Sequence, residues 1–342
     1  MSKPDNKEIY DAIWPNGAPK KELICSSCHR SNRLDVGKAT LRLEQCRCGN
    51  CGLPMFLQNN VPLSGLHAPQ YQHPLDKSSL AALRSIPALP SVLKSFMNEV
   101  GEKPMRYQLL ASSVQCGEEQ FPELYSQLQK SQQSLGIQQT PTLFLSQSPV
   151  LNASTFGAEE PIIVVHSALL YHLDDVGIRT VLGHELGHVH CEHSTYKLLA
   201  TLILQGGAKL GGWSQLLTTP IRMGLQKWSR CAELTADRAG LLASRSLEGS
   251  LQTFLRMAGG SSEEMSSTIK IKLAPFVAQA RALREAENDS WMDGLFANLV
   301  TLNRSHPFTA WRLLMLLDWV EEGNFLELLL APPQSSRAEI EY

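Results

Sequence analysis

The stretch His184-Glu185-Leu186-Gly187-His188 places two imidazoles four residues apart in a segment with apolar residues at helical intervals. Residues i and i+4 of an α-helix lie on one face, one turn apart, so both rings can point at a single Zn²⁺ ion. Glu185 lies about 100° round the helix, from where its carboxylate can reach a water molecule on the metal. The pattern therefore predicts a helix with a zinc site; two surface histidines on an ordinary helix are the alternative.

A catalytic zinc ion normally has three protein ligands and one open position, so a third ligand must come from elsewhere in the chain. Glu233 is the candidate, because it lies in a helix-favouring segment in which Asp237 follows one turn later on the same face. Glu233 could bind the metal while Asp237 orients one of the other ligands. The alternative is a pair of solvated carboxylates beside Arg230 and Arg238, which would be preferred if the two histidines were absent.

Further motifs follow these residues in a recognisable order. They are Asn152-Ala153 through Gly157, the histidine pair followed by His193, Glu233-x-x-x-Asp237, and Ser305-His306-Pro307 followed by Arg312. Together they resemble peptidase family M48, the zinc metallopeptidases related to the heat-shock protease HtpX and to the CAAX prenyl proteases. The resemblance spans residues 75 to 330, and such ordered agreement is more specific than any single motif.

This resemblance implies an α+β, mainly helical fold, namely a zincin-like (gluzincin) metallopeptidase domain with a small antiparallel sheet. It implies a zinc metalloendopeptidase that acts on protein or peptide substrates, including unfolded ones. The catalytic Zn²⁺ would be held by His184, His188 and Glu233. Glu185 would be the general base that takes the proton of the attacking water.

The remaining motif residues would support this centre. The resemblance gives Asp237, His193 and Arg312 positions beside the metal ligands. It makes His306 either a donor to the oxyanion or a displaceable fourth ligand that holds the enzyme inactive. A hydrogen-bonded loop histidine ahead of Pro307 is the alternative.

Two features depart from the family pattern. The usual Asn-Ala runs straight into an aromatic residue, whereas here Ser154-Thr155 precedes Phe156. The longest apolar run, 198–204, is far shorter than the ~20 residues that span a bilayer, so the sequence predicts a soluble member without a transmembrane span. The apolar segment 196–230 favours core packing; an amphipathic lid or a peripheral membrane contact is the alternative.

Short apolar strands precede the histidine pair. Residues 142–145 and 162–165 are rich in β-favouring side chains and are bounded by Pro141 and Pro161. In proteases of this kind an edge strand pairs with the extended substrate backbone. The alternative is that these residues are simply core.

A separate cysteine pattern lies near the N-terminus. Cys25-x-x-Cys28 and Cys48-x-x-Cys51, nineteen residues apart, predict a tetrahedral Cys₄ zinc ribbon and resemble the N-terminal ribbon of thioredoxin-2-type proteins. Four thiolates leave no open position, so this second Zn²⁺ would be structural. Cys46 is too close to Cys48 for ordinary pairing and is interpreted as an extra thiol, with replacement of a ligand as the alternative.

The ribbon also carries basic residues, but they do not alternate with aromatic ones. They are Lys20, Lys21, Arg30, Arg33, Lys38, Arg42 and Arg47. Stacking platforms for bases are missing and the net charge is only −2, so no nucleic acid is expected, and protein docking or substrate selection is the preferred role. The N-terminus shows no secretory signal, so the thiols are expected to be reduced and the protein cytoplasmic.

Composition shifts predict the domain organisation. At 342 residues the chain is long enough for two domains. We expect a flexible lead over 1–20, the ribbon over 21–58, a linker over 59–75, the metallopeptidase domain over 76–332 and a tail over 333–342.

Three functions are compatible with these sequence features. The first is a zinc endopeptidase. The second is a zinc-stabilised peptide-binding or chaperone-like protein with latent or no proteolytic activity, which His306 would explain if it blocked the metal. The third is a nucleic-acid factor built around the ribbon, whose binding would weaken steeply with salt.

Overall fold

A computed structural model describes residues 6–57, 61–87, 89–93, 103–157, 159–204, 219–259, 272–287 and 309–330. The helices are α1 Asn6–Ile13, α2 Val36–Leu41, α3 Ala68–Tyr71, α4 Pro74–Arg84, α5 Lys103–Ser112, α6 Pro122–Ser134, α7 Ala168–His172, α8 Asp175–His190, α9 Ser194–Leu204, α10 Thr219–Ser244, α11 Leu247–Gly259, α12 Leu273–Glu287, α13 Thr309–Glu321 and α14 Asn324–Leu328. The strands are β1 Lys20–Ile24, β2 Ser31–Asp35, β3 Val114–Cys116, β4 Thr142–Ser146, β5 Ala153–Phe156 and β6 Ile162–His166. The predicted mainly helical α+β fold with a small sheet is confirmed.

The strands form two sheets. Strands β1 and β2 make an antiparallel hairpin in the cysteine-rich region. The other four strands have the order β3-β4-β6-β5, in which β4 and β6 are parallel and the two outer pairs are antiparallel. Strand β5 therefore lies at an edge of this sheet, next to helix α8.

Helix α8 carries the histidine pair, and it begins with a side-chain cap. Asp174 caps it, because its carboxylate accepts a hydrogen bond of 2.8 Å from the backbone N–H of Gly177. The helix ends at His190, shortly before Glu192 takes a left-handed conformation with φ of 56°.

The centre of the fold is the contact between α8 and α10, and glycines allow these helices to approach closely. A methyl group on Gly240 would lie 2.7 Å from the carbonyl oxygen of Thr180, and one on Gly187 would lie 2.6 Å from the side chain of Ala239. Helix α10 is buried along its whole second half. This close packing sets the distance between the His184–His188 face and the carboxylates of α10.

Most apolar residues of segment 196–230 are core where the structure describes them, whereas Met223 is exposed. Leu199, Ile221, Leu225 and Trp228 are almost fully buried in one cluster. The preferred interpretation of this segment is confirmed for these residues. Residues 205–218, on which the lid alternative depends, lie outside the described part of the chain.

The N-terminal region differs from the expected flexible lead and linker. Helix α1 places Ile9 and Ile13 one turn apart and buries both, and the indole of Trp14 donates a hydrogen bond of 2.9 Å to Glu321. Within the expected linker 59–75, α3 buries the ring of Tyr71 completely. Burial of these few large side chains orders segments whose composition is polar. The predicted tail, 333–342, lies outside the described residues.

Among the described residues, no helix combines the length and apolar character that a bilayer span requires.

The glycine contact gives a stability prediction. We expect Gly240→Ala to lower the free energy of unfolding by about 1–3 kcal/mol, because the added methyl group overpacks the α8–α10 contact. This loss should appear in urea denaturation, although alanine is the better helix former. Gly117→Ala is the control, since a methyl group there meets no atom within 4 Å. Equal stability of both variants would contradict the packing argument.

Candidate metal centre

Three side chains from two helices converge at one point. The Nε2 atom of His184 lies 3.4 Å from Glu233 Oε2, and the Nε2 atom of His188 lies 3.3 Å from Glu233 Oε1. These ligand atoms all lie within 4.8 Å of one another. His188 and Glu233 are fully buried, and His184 is nearly so. The structure therefore brings together the three residues that the sequence proposes as metal ligands.

The chemistry of this cluster suits a cation. The ammonium of Lys197, from α9, lies 2.5 Å from His188 Nε2 and 3.0 Å from Glu233 Oε1, so a positive charge already lies against the donor atoms. Burial, and then the charge of Lys197, hold the pKa of His188 well below its usual value. The neutral imidazole that results is the form that binds metal. Sequence reasoning did not single out Lys197.

An acidic and a basic side chain support His184 from behind. Asp237 Oδ1 lies 3.0 Å from His184 Nδ1, while Arg312 Nε donates to Asp237 Oδ2 at 2.8 Å. Burial raises the pKa of Asp237, but the charge and hydrogen bonds of Arg312, together with the contact to His184, outweigh burial and lower it. The ionised carboxylate can accept a hydrogen bond from Nδ1–H, which leaves Nε2 of His184 free to face the ligand cluster.

His193 supports the second imidazole. It is fully buried, and its Nδ1 atom lies 3.1 Å from Nδ1 of His188. The structure thus places His193, Asp237 and Arg312 beside the ligands. His306 lies outside the described residues.

Glu185 has a partner that sequence reasoning missed. The hydroxyl of Thr155, on edge strand β5, donates to Glu185 Oε2 at 2.6 Å and lies 3.2 Å from the carbonyl oxygen of the same residue. Both residues are buried. Thr155 belongs to the segment that departs from the family pattern, so this departure coincides with a contact that holds the glutamate in one orientation.

The four ribbon cysteines also form a cluster. Cys25 Sγ lies 3.8 Å from Cys51 Sγ, and Cys28 Sγ lies 3.6 Å from Cys48 Sγ. A tetrahedral zinc site with Zn–S bonds of about 2.3 Å has sulfur atoms about 3.8 Å apart, so these distances fit the metal. The backbone N–H groups of Cys51 and Asn50 lower the pKa of Cys48 to about 6, which favours the thiolate ligand.

The local backbone explains how each cysteine pair is presented. His29 and Gly52, one residue after each pair, take positive φ values of 56° and 71°. Their N–H groups donate to the carbonyl oxygens of Cys25 and Cys48, respectively, at 2.8 and 2.9 Å. Both loops therefore turn back in the same way. Cys46 lies apart from the cluster, with its Sγ 3.8 Å from the Ala39 carbonyl oxygen, which agrees with an extra thiol.

The arrangement around α8 defines a class of protein. Two imidazoles and a carboxylate that can hold a metal ion, with a buried glutamate next to the first imidazole, are the side chains of a metal-dependent hydrolase.

Comparisons with known proteins specify the family. The model of peptidase family M48 matches residues 118–320. A curated relative, the plastoglobule-localized metallopeptidase 48 of Arabidopsis thaliana, is 29% identical over 296 residues, which cover 86% of this chain and 82% of the relative. No solved structure matches the chain significantly. The chain belongs to peptidase family M48, so the resemblance that its motifs predict is confirmed and its class is metallopeptidase.

The Thr155 contact predicts an effect on catalysis. Thr155→Val keeps the shape of the side chain but removes the hydroxyl, and the loss of a hydrogen bond to a charged group, about 1.5–3 kcal/mol, should lower kcat about 10- to 100-fold. Cleavage of a fluorogenic peptide would measure it. Thr155→Ser retains the hydroxyl and should restore most of the rate. If valine and serine behaved alike, the hydroxyl would not be what positions Glu185.

Proposed function

We propose that this chain is a zinc-dependent metalloendopeptidase. The observation that carries the proposal is the convergence of His184, His188 and Glu233 beside the buried carboxylate of Glu185. The family membership supports peptide hydrolysis by a metal-dependent route. Zinc is the metal that this mixture of two imidazoles and one carboxylate favours.

His184, His188 and Glu233 would hold the zinc ion. When bound, it supplies Lewis acidity, which polarises a peptide carbonyl and lowers the pKa of a water molecule. Glu185 takes the proton of the attacking water and delivers it to the leaving amine. Thr155 keeps the carboxylate of Glu185 aimed during both transfers, since its hydroxyl donates to Oε2. Family resemblance keeps His306 as the candidate donor to the oxyanion.

The edge strand β5 is the proposed binding surface for the substrate. It pairs with β6 on one side, and no other strand of the described chain pairs with its opposite side. Thr155 on this strand touches Glu185, so a peptide that extended along β5 would run past the general base. Backbone pairing gives affinity with little sequence selectivity, which favours unfolded protein segments as substrates.

The cysteine cluster is proposed to hold a second, structural zinc ion. Its closed set of four thiolates supports folding rather than chemistry. Contacts with the C-terminal helices suit a docking role within the molecule: Lys21 forms an ion pair of 2.9 Å with Glu327, and Leu57 N–H donates to Leu329 O at 2.8 Å. The cytoplasmic location stays a prediction; the name of the Arabidopsis relative places that protein in chloroplast plastoglobules.

Replacement of the general base tests the catalytic proposal. We expect Glu185→Gln to abolish cleavage of casein, a loss of about 10²-fold or more, because the amide cannot accept the proton of water. Zinc content should stay unchanged, as measured by mass spectrometry of the purified protein. Glu192→Gln, at an exposed glutamate just after the same helix, is the matched control and should retain activity. Cleavage by Glu185→Gln at the wild-type rate would exclude the mechanism.

Cleavage products distinguish an endopeptidase from the alternative functions. A peptide blocked at both termini should be cut internally, because the proposed site binds an extended backbone without recognising a terminus. Peptide binding by the wild-type protein without any cleavage would instead support the chaperone-like function.

Metal counting tests both zinc sites. The wild-type chain should bind about two zinc ions, one for each ligand set. Cys48→Ser and His188→Ala should each lower the count by about one, because each removes one ligand from one set. Only Cys48→Ser should also lower the thermal stability of the N-terminal region. Hydrogen exchange of the backbone amides in that region would measure this loss. A wild-type count of one would disprove one of the two sites.

A further inference from the structure

Another buried carboxylate, Asp76, lies behind the metal centre near the start of α4 and is completely shielded from solvent. Three groups donate hydrogen bonds to it: Trp228 Nε1 to Oδ1 at 3.0 Å, and Thr235 Oγ1 and Gln72 Nε2 to Oδ2 at 2.7 and 3.1 Å. In addition, His193 Nε2 lies 3.2 Å from Oδ2. Burial opposes the charge, but these contacts outweigh burial and lower the pKa of Asp76. A fully buried anion with three hydrogen-bond donors and a neighbouring imidazole has more partners than packing alone would need.

One of these partners leads directly to the metal centre. His193 lies between Asp76 and His188: its Nε2 atom faces the carboxylate at 3.2 Å and its Nδ1 atom faces His188 Nδ1 at 3.1 Å. His188 in turn presents Nε2 to the ligand cluster. Asp76, His193 and His188 thus form a line of successive contacts, and all three side chains are fully buried.

The proton positions along this line follow from its two ends. A metal ligand needs a lone pair on His188 Nε2, so its proton is on Nδ1. The Nδ1 atom of His193 must then accept a hydrogen bond from Nδ1–H of His188. The proton of His193 is therefore on Nε2, facing Asp76. An ionised carboxylate only accepts hydrogen bonds, so it selects this tautomer of His193. One proton arrangement therefore satisfies every contact from Asp76 to the metal ligand.

We propose that Asp76 is a positioning residue for the metal centre and acts through His193 on the ligand His188. The proposal rests on the proposed metal-binding role of His188. It gives His188 the same kind of support that Asp237 gives His184, but through one intervening imidazole. Asp76 lies outside residues 118–320, the span that the family model matches, so the matched segment alone does not contain this support.

Substitution by the amide tests the proposal. In Asp76→Asn the NH₂ group must face at least one donor, and an amide oxygen that faces His193 carries no charge, so the selection of the His193 tautomer is weakened. We expect the Zn²⁺ affinity of the full-length chain to fall about 10- to 100-fold, the usual effect of removing a partner behind a ligand. Competition with a chromophoric chelator measures this affinity without any need for catalysis. In peptide cleavage, kcat should fall while KM stays unchanged, because the substrate strand is untouched.

Trp228→Phe is the matched control for a purely structural role. It removes the donor to Oδ1 but leaves the Oδ2 contacts with His193 and Thr235. It should lower the unfolding temperature yet leave Zn²⁺ affinity within about twofold of wild type, since the line to His188 persists. If Asp76→Asn and Trp228→Phe weakened Zn²⁺ binding equally, Asp76 would be structural and the proposal would be overturned.

A double-mutant cycle tests the route through His193. In the His193→Ala background, Asp76→Asn should change Zn²⁺ affinity by no more than about twofold, because the connection is already broken. The same 10- to 100-fold loss in that background would show that Asp76 does not act through His193. The cycle measures Zn²⁺ affinity and does not depend on the proposed activity. Wild-type protein that binds Zn²⁺ but cleaves nothing would refute the endopeptidase function, and the cycle could still be interpreted.

Discussion

The close packing of α8 against α10 is the constraint on which the metal centre depends. Gly187 and Gly240 remove the side chains that would hold the two helices apart, and the contact falls within one turn of His184 and His188. An imidazole and a carboxylate can bind the same ion only if their ligand atoms lie within a few ångströms of each other. A small increase in the separation of the two helices would therefore move Glu233 away from the two histidines. The same packing buries Glu233 and thereby keeps its charge among the histidines.

Burial of so much charge requires compensation. An isolated buried carboxylate is very costly, and each one here faces donors or cations. Asp237 has Arg312, Asp76 has donors from helix α10 and from Gln72, and Glu233 has Lys197 at 3.0 Å. These contacts come from different parts of the chain, so the centre is held by the whole fold rather than by the histidine helix alone.

The ribbon and the metallopeptidase domain are connected by a continuous apolar core. Leu23 and Val36 of the ribbon belong to the same buried cluster as Trp319 and Phe325 near the C-terminus. The clustering of the four cysteines and the burial of these apolar side chains thus stabilise one assembly. A structural metal in the ribbon would therefore affect the stability of the helices it packs against.

The sequence by itself determined the residues whose spacing is local. His184 and His188 share a helix face because four residues make one turn, and each Cys-x-x-Cys pair is a local loop. Glu233 was identified from its own helical spacing with Asp237 and from the family pattern. Only the tertiary structure decided the contacts from Thr155, Lys197 and Asp76, because these join elements distant in the chain and depend on how buried helices and an edge strand pack. Segments 1–20 and 59–75 were expected to be a flexible lead and a linker because their composition is polar. In their described residues, burial of side chains such as Trp14 and Tyr71 orders the chain, and burial is a property of the fold, not of composition.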